Sequence, residues 1–501
     1  MATSKVARYI LLPARGLQAH SAPEGMNFLL SLQPKIGGLA AAAPAFAVGG
    51  KKTPRMRVLD SIHENGAKLV EALPEDIPAL RSAAPGIRII PEVFYFPQVL
   101  PHPSIKGKVK LSAAGLAAAK IQITVVLRGS SAPVKGATVV AFTDFDQGLG
   151  AQAVTNAQGR VQLALGAASK RLDRLYVFPV SGCWPFLRKN VTITTGSQVR
   201  MEPITFPFVD CVRHFYDTPA LHVGTGVTVG VVDSGVGPHP DLLVAGGLNT
   251  VTGENPTAFG SNGPDGHGTH VAGIMAARGG APTGMTGVAP GATLRSYRVF
   301  GKNAETASNF SIAKAIDAAV ADGCDLINMS LGGGPQDPLT SEAISDARAA
   351  GVVVLAANGN DGREPVSFPA AFDLCLAVSA MGRKGTFPPR TATQDAVARP
   401  TGTDKSNFVA AFSNIGEDTD LTGPGVGVIS TVPGGYTVMD GTSMACPAAT
   451  GAAARHLSNN PQILNMARNQ ARSNAIIELI TQSVSPLGFG PLFEGKGLLN
   501  A

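Results

Sequence analysis

Three short segments carry the residue types that nucleophilic catalysis at a serine requires. Asp233 closes the apolar run GVVD, His267 lies between glycines in GHGTH, and Ser443 lies in GTSMACP. A serine hydroxyl becomes a good nucleophile when an imidazole accepts its proton and a carboxylate orients that imidazole. Each residue alone also has an ordinary explanation, since Asp233 suits a turn at a strand end, His267 a helix cap or surface position, and Ser443 a helix N-cap.

The segment from about Phe206 to Ala501 alternates apolar runs with helical stretches. Four runs are short and rich in Val, Ile and Leu: GVTVGVVD, GCDLINMSL, GVVVLAAN and DLCLAVSA. Such runs are typical of strands buried on both faces of a parallel sheet. The intervening NFSIAKAIDAAVADG and SEAISDARAAG fit crossover helices. The pattern predicts a doubly wound α/β domain over 206–501, whose sites lie beyond the carboxyl ends of the strands.

The order of the motifs carries a family resemblance from about Gly224 to the end of the chain. The motifs are, in chain order, VVDSGVGPHPDL, HGTHVAGIMAA, GVAPGATL, NMSLGGG, AANGND and GTSMACP. They resemble the successive motifs of the subtilisin-like serine peptidases, in which the triad follows the order Asp, His, Ser. The resemblance implies a subtilisin-like doubly wound parallel sheet and a serine endopeptidase that works through an acyl-enzyme.

The resemblance also implies a role for each catalytic residue. Asp233 would orient the imidazole, His267 would act as general base and acid, and Ser443 would attack the scissile carbonyl. Aligning AANGND with the family places the oxyanion-binding asparagine at Asn360 and not at Asn358. The backbone N–H of Ser443 would be the second oxyanion donor, at the start of a helix whose dipole favours negative charge.

The family's pocket for the side chain that precedes the cleaved bond also has counterparts here. Ser330, Leu331 and Gly332 match one wall, and Ser367 in VSFPA is expected on the opposite wall. Without an acidic residue in the wall, these residues predict a preference for a medium or large apolar side chain. Glu364 is close in sequence and leaves a basic preference open.

No cofactor or metal is expected. The segment AARGGAPTGMTGVAP lacks the Asn-rich loop that holds calcium in many subtilisins. Asp241 alone cannot form a calcium site, because calcium takes about six to eight oxygen ligands. Calcium is therefore possible, but the usual loop does not support it.

The N-terminal segment, residues 1–103, has the predicted order β-α-β-β-α-β of a ferredoxin-like α+β domain. It is similar to the inhibitor-type prodomain of subtilisins, which implies that this segment is an intramolecular inhibitor. The extended tail, centred on Phe94 to Leu100, would occupy the cleft, although Pro97 limits strand pairing because it lacks an N–H. The stretch GGLAAAAPAFAVGG, residues 37–50, suggests a flexible insertion.

Residues 104–205 contain short alternating runs separated by turn residues, which predict a β-sandwich domain. The segments PVKGATVVAF and TNAQGRVQL resemble carboxypeptidase regulatory-like sandwiches. We see no cluster of titratable residues there, so a spacer or docking module is the expected role.

The amino-acid composition and net charge limit the classes of binding partner that we expect. The 501-residue chain is 44% hydrophobic and 15% charged with a net charge of +6, which favours a large packed core over disorder and gives little support for nucleic-acid binding. Five dispersed cysteines indicate neither a disulfide framework nor a zinc site. No run of about 18 apolar residues predicts a membrane span, and no clear signal peptide is present, so a cytoplasmic location is expected.

The sequence thus predicts a serine endopeptidase acting on proteins or peptides and kept latent by its own N-terminal segment. Two other functions remain open at this point. The cleft could belong to a catalytically idle binding protein, which would not react with a fluorophosphonate probe. The same triad could also serve an esterase or acyltransferase, which would turn over acyl esters without cleaving peptides.

Overall fold

The computed structural model describes residues 5–19, 23–32, 56–83, 86–108, 120–261 and 266–500. The insertion predicted at 37–50 lies outside these ranges. Within them, no helix is both long enough and apolar enough to cross a membrane.

The N-terminal segment forms a four-stranded antiparallel sheet with two helices. Its elements are β1 (Ala7–Pro13), α1 (Pro23–Ser31), β2 (Met56–Ser61), β3 (Lys68–Ala72), α2 (Ile77–Ala83) and β4 (Ile87–Pro91), with a 3₁₀ turn at Pro74–Asp76. The strand order is β2-β3-β1-β4. Leu11 and Val70 of the sheet pack with Leu29 and Leu80 of the helices in one buried cluster.

The last predicted strand, IRIIPEVFYF, is two strands in the structure. β4 stays in the four-stranded sheet, whereas β5 (Phe94–Pro97) leaves it. The break follows Pro91, whose lack of an N–H limits further pairing. β5 instead pairs with strands of the C-terminal part, which brings the end of the N-terminal segment to the cleft.

The middle segment consists of strands in two sheets. They are β6 (Gly107–Lys108), β7 (Lys120–Leu127), β8 (Thr138–Asp144), β9 (Leu149–Val154), β10 (Arg160–Ala164), β11 (Ser169–Phe178), β12 (Phe186–Thr194) and β13 (Gln198–Met201). One sheet has the order β10-β7-β13 and the other β12-β11-β8-β9-β6. Alternate residues of both sheets, such as Ile123 and Val139, share one core.

The C-terminal part begins with α3 (Cys211–Tyr216) and contains the largest sheet. Its remaining strands are β14 (Thr228–Asp233), β15 (Val244–Asn249), β16 (Thr293–Arg298), β17 (Ala307–Ser308), β18 (Leu326–Met329), β19 (Leu331–Gly332), β20 (Val353–Ala357), β21 (Cys375–Arg383), β22 (Val397–Thr401), β23 (Asn407–Ala410), β24 (Leu421–Pro424), β25 (Val428–Val432), β26 (Gly435–Met439), β27 (Val484–Ser485) and β28 (Leu498–Leu499). Its remaining helices are α4 (His267–Ala276), α5 (Asn309–Ala321), α6 (Pro338–Ala349), α7 (Thr442–Ser458), α8 (Pro461–Leu464), α9 (Gln470–Gln482) and α10 (Pro491–Glu494), with a 3₁₀ turn at Ala392–Ala396.

The main sheet has the order β15-β16-β14-β18-β20-β21-β24-β28-β27, and β22 and β23 branch from β21. Within this sheet, neighbours in the order from β15 to β28 pair in parallel, and β27, β22 and β23 add the antiparallel pairs of its described strands. The predicted α/β fold with a parallel sheet is confirmed.

Helices cover both faces of this sheet, and successive residues of a strand enter different cores. Leu355 packs in the core that contains α4 and α7, whereas Val354 and Ala356 pack in the core that contains α5 and α6. Every residue of β18 and β20 is buried. This double burial explains why these strands are continuous apolar runs in the sequence.

Candidate active site

Asp233 and His267 meet at the carboxyl end of β14. Asp233 is the last residue of that strand and is fully buried, and His267 is the first residue of α4. Asp233 Oδ1 lies 2.8 Å from His267 Nδ1 and also accepts a hydrogen bond from the Ser234 N–H at 2.6 Å. A carboxylate only accepts, so Nδ1 carries a proton, and in the neutral form of the imidazole the lone pair is on Nε2.

The close approach of these two elements depends on Gly268. A Cβ at this position would lie 2.5 Å from the carbonyl oxygen of Gly235 and 3.0 Å from Asp233 Oδ1. No side chain fits there, so the glycine after His267 allows α4 to begin against the end of β14.

Ser443 lies in the first turn of α7 and is fully buried. Its Oγ donates to the carbonyl oxygen of Ser330 at 2.9 Å, and Ser330 Oγ donates to the carbonyl oxygen of Ser443 at 2.9 Å. His267 Nε2 has no hydrogen-bond partner among the described residues. The Ser443 hydroxyl must therefore leave Ser330 before it can give its proton to His267.

The segment that follows β5 lies directly against Ser443. The backbone N–H of Ser443 donates to the carbonyl oxygen of Gln98 at 2.9 Å, and the N–H of Gln98 donates to the carbonyl oxygen of Ser330 at 3.1 Å. One step further on, the N–H of Leu100 donates to the carbonyl oxygen of Asp440 at 2.9 Å. The chain thus passes uninterrupted across the residues predicted to be catalytic.

The strand β5 is the middle strand of a three-stranded antiparallel sheet with the order β17-β5-β19. Ala307 pairs with Tyr95 on one side, and Leu331 and Gly332 pair with Pro97 and Phe96 on the other. The tail therefore binds as an added strand, the mode by which extended peptides are recognised through their backbone.

The two candidate asparagines differ in what their amide groups contact. Asn360 Oδ1 accepts from the N–H and the hydroxyl of Thr442, both at 2.9 Å. Because a backbone N–H can only donate, the oxygen faces Thr442 and Nδ2 is left over. That Nδ2 is buried and has no partner within the described ranges. Thr442 thus orients Asn360, a role that no motif in the sequence indicated.

Asn358 has a structural environment instead. Its side chain is fully buried and donates from Nδ2 to Thr419 Oγ1 at 2.9 Å, and its carbonyl oxygen accepts from Ser367. It lies just after β20 and holds neighbouring loops together. Of the two asparagines, Asn360 has the amide that is bonded to the turn of Ser443.

Residues on both predicted walls of the specificity pocket lie around the side chain of Gln98. A Cβ at Gly332 would lie 2.8 Å from Ser367 Oγ and 3.3 Å from Gln98 Cγ. Ser330 contacts the backbone of Gln98, Leu331 is buried in β19, and Glu364 is exposed. Gln98 is itself nearly buried, with 7% of its surface exposed. An apolar preference at this pocket stays a prediction.

Burial shifts the pKa values of three groups around the site. Desolvation, aided by the nearby His267, lowers the pKa of His270 to about 3, so this imidazole is neutral near pH 7. Burial raises the pKa of Asp440 to about 6 and raises the pKa of the Cys446 thiol. Cys446 is thus a protonated, packed thiol in α7, with no sign of a reactive thiolate.

The residues around Asp241 do not fit a calcium ion. The Asp241 carboxylate accepts from the Met285 N–H at 2.9 Å and from the Tyr436 hydroxyl at 2.7 Å. Two hydrogen-bond donors therefore face the carboxylate where a cation would require further oxygen ligands. No cluster of three or more His, Cys, Asp or Glu with metal-binding geometry occurs in the described part of the chain.

Comparison with known proteins agrees with this geometry. A model of the subtilase family matches residues 224–489. Subtilisin BL of Lederbergia lenta is 37% identical over 289 residues, which are 56% of this chain and 93% of that protein. The chain belongs to the subtilase family. Two further relatives are subtilisin DY of Bacillus licheniformis, 36% identical over 284 residues (55% of this chain, 90% of the relative), and alkaline elastase YaB of Bacillus sp. (strain YaB), 38% identical over 280 residues (56% of this chain, 64% of the relative).

Membership establishes this subtilase as a subtilisin-like serine endopeptidase, whose substrates are proteins or peptides. The cytoplasmic location expected from the sequence is wrong, because the subtilisins that it matches are secreted extracellular proteases. The expectation rested on the absence of a clear signal peptide and of a long apolar run, and such absences do not determine a compartment.

Proposed function

We propose that this subtilase hydrolyses peptide bonds through Asp233, His267 and Ser443, and that its N-terminal segment keeps it latent until the tail leaves the cleft. The observation that carries the proposal is the hydrogen bond from the Ser443 N–H to the Gln98 carbonyl oxygen. It presents a peptide carbonyl of the chain to the nucleophile as a substrate carbonyl would be presented.

In the proposed reaction, Ser443 Oγ forms a bond to the scissile carbonyl carbon and passes its proton to His267 Nε2. Asp233 holds the ring through Nδ1 and stabilises the imidazolium, and the negative oxygen is stabilised by the Ser443 N–H and Asn360 Nδ2. His267 then gives the proton to the leaving amine, which breaks the C–N bond and leaves an acyl ester. Water hydrolyses this ester with His267 again as base, so no cofactor is needed.

Latency is supported first by how the N-terminal sheet docks. Its buried residues Ile10, Leu12 and Leu69 share a core with Phe310 and Ile344 of α5 and α6.

Polar contacts also join the N-terminal segment to the C-terminal part. They are Gly16 N–H to Glu342 at 2.8 Å, Leu17 N–H to Asp346 at 2.9 Å, Arg88 to Glu342 at 2.8 Å and Lys314 to Asp60 at 2.7 Å. We infer that residues 1–103 act as an inhibitor-type prodomain of this chain.

Contacts of the middle segment with the C-terminal end of the tail also support latency. The His102 ring stacks on Phe178 of β11, with ring centroids 3.8 Å apart and planes inclined by 10°. The same face docks on the C-terminal part through Asp395, which is contacted by Tyr176 at 2.6 Å, Lys189 at 2.7 Å and Arg174 at 3.2 Å. We infer that residues 104–205, as a β-sandwich domain, anchor the tail beyond Leu100.

Labelling of the intact full-length chain with a fluorophosphonate tests both halves of the proposal. Gln98→Pro removes the N–H that donates to Ser330, and Gln98→Ala is the matched control that keeps it. We expect Gln98→Pro to label at Ser443 at least about tenfold faster than Gln98→Ala, because one backbone hydrogen bond and a fitting strand are lost. Equal labelling rates would contradict latency, and absence of label at Ser443 in every variant would contradict the triad.

A further inference from the structure

One aromatic residue of the tail is buried, whereas the aromatic residues on either side of it are exposed. Tyr95, three residues before Gln98, has none of its surface exposed, whereas Phe94 and Phe96 are 45% and 47% exposed. Alternate side chains of a strand point to opposite sides, so β5 inserts Tyr95 into the protein and leaves the phenylalanines outside.

The hydroxyl of Tyr95 reaches a buried carboxylate. It donates to Asp337 Oδ2 and also lies 3.0 Å from the carbonyl oxygen of Pro335. Asp337 is only 3% exposed. Its other oxygen, Oδ1, accepts from Asn309 Nδ2 and from the Thr340 N–H, each at 3.0 Å. Tyr95 is thus the partner that the described residues provide for Oδ2.

The Tyr95 ring fits because Gly334, which faces it, has no side chain. A Cβ at Gly334 would lie 2.6 Å from both Cδ1 and Cε1 of Tyr95. The ring also packs in the apolar core that includes Leu331, Leu339 and Phe310. The pocket is therefore a slot for a flat ring, with apolar walls and a carboxylate oxygen at its end.

Helix capping does not account for this carboxylate. Asp337 is the N-cap of α6, but the cap is made by Oδ1. A serine would cap a helix about as well. Oδ2 contributes nothing to the cap, and it would be a buried acceptor facing the empty slot once the tail leaves.

We propose that Asp337 makes this slot select tyrosine over phenylalanine at the fourth residue before the cleaved bond. The inference rests on the proposed function, because it takes the tail to lie in the cleft as a substrate does. Phenylalanine would enter the slot, exclude water and leave the carboxylate oxygen unpaired. Sites built to bind a hydroxyl reject the analogue that lacks it, and here we expect about 10- to 100-fold in kcat/KM.

The first test compares two peptides that differ only in Tyr or Phe at that position, with full-length Gln98→Pro as the enzyme. Asp337→Ser, added to this chain, keeps a capping hydroxyl but is too short to reach the phenol. We expect the Gln98→Pro chain, the parent chain of this test, to cleave the Tyr peptide faster than the Phe peptide. We expect this preference to be lost when Asp337→Ser is added. The matched control is Asn469→Ser at the N-cap of α9, remote from the slot, which should keep the preference. Equal cleavage of both peptides by the parent chain would overturn the subsite, whereas no cleavage of either would overturn the proposed function.

The second test needs no activity. In full-length Ser443→Ala, the amide hydrogens of Gln98 and Leu100 report whether the tail is docked, since each is bonded across the cleft. We expect Tyr95→Phe and Asp337→Ser each to speed their exchange about tenfold or more, and the double variant to exchange no faster than the faster single variant. Unchanged exchange in Tyr95→Phe, or additive effects in the double variant, would overturn the role of Asp337.

Discussion

The backbone N–H of Ser443 and the carbonyl oxygen of Gln98 are joined by a hydrogen bond of 2.9 Å. This pair sets the register of the tail in the cleft, because the carbonyl bonded to the nucleophile's own N–H belongs to the bond that would be attacked. That bond is the one between Gln98 and Val99.

Self-cleavage, where it occurs, is therefore expected between Gln98 and Val99. Intact mass spectrometry and N-terminal sequencing of the incubated full-length chain would detect a new terminus at Val99. Ser443→Ala should remain intact under the same conditions. A Ser443-dependent cut elsewhere between Phe94 and Pro103 would show that the register in the cleft differs from the one described here.

Ser443→Ala should abolish peptide hydrolysis and leave the fold intact. Removing the hydroxyl removes the covalent step, and the expected loss in kcat is about 10⁴- to 10⁶-fold, with weak residual catalysis from binding and the oxyanion donors. Steady-state hydrolysis of a peptide by the Gln98→Pro chain, with and without Ser443→Ala, measures this loss. Circular dichroism of both chains is the folding control, and equal hydrolysis rates would reject the triad.

Asn360 and Asn358 provide a matched pair for the oxyanion donor. Asn360→Ala should lower kcat about 100- to 1000-fold with little change in KM, because Nδ2 would contact the oxygen only after it becomes negative. Asn358→Ala should instead lower thermal stability, since its Nδ2 bonds Thr419 in a fully buried position. A loss of kcat in Asn358→Ala with normal stability, and none in Asn360→Ala, would exchange their roles.

Much of this arrangement was predictable from the sequence because local patterns carry it. Buried parallel strands such as β18 and β20 leave continuous apolar runs, and the residues at their ends follow from chain order. Asp233 ends such a run, whereas the catalytic roles of Asp233 and His267 were assigned through the resemblance of their motifs to the subtilisin-like peptidases; their side chains lie 2.8 Å apart. The α/β fold and the family needed no knowledge of distant contacts.

Several individual contacts between side chains far apart in the chain could not be predicted. Nothing around Asp337 indicates that its second oxygen meets a tyrosine 242 positions earlier, since the sequence there shows only a helix cap. Likewise, nothing in the sequence around Thr442 indicates that it bonds and orients Asn360, which lies 82 positions earlier in the chain. The division of IRIIPEVFYF into β4 and β5 also depends on a distant partner, because β5 pairs with β17 and β19 and not with its own sheet.

The stability of the fold should fall in weak acid because of His270. Burial is the main reason that its pKa is lowered to about 3 from 6.5, and the nearby His267 lowers it further. Between about pH 6.5 and pH 3, His270 therefore binds a proton in the unfolded chain but not in the folded chain. The stabilisation is complete above pH 6.5 and is lost as the pH falls from 6.5 towards 3, by at most about 1.4 kcal/mol per pH unit.

Replacing His270 by glutamine should flatten this dependence. In full-length Ser443→Ala, which cannot digest itself, urea unfolding can be followed by the fluorescence of Trp184, the single tryptophan, which is buried against Ile429 and Val438. Between pH 6.5 and 4, the midpoint should fall less steeply in His270→Gln than in its parent. His222→Gln, at an exposed position, should retain the parent's slope. Parallel slopes in all three chains would show that His270 takes up its proton without unfolding.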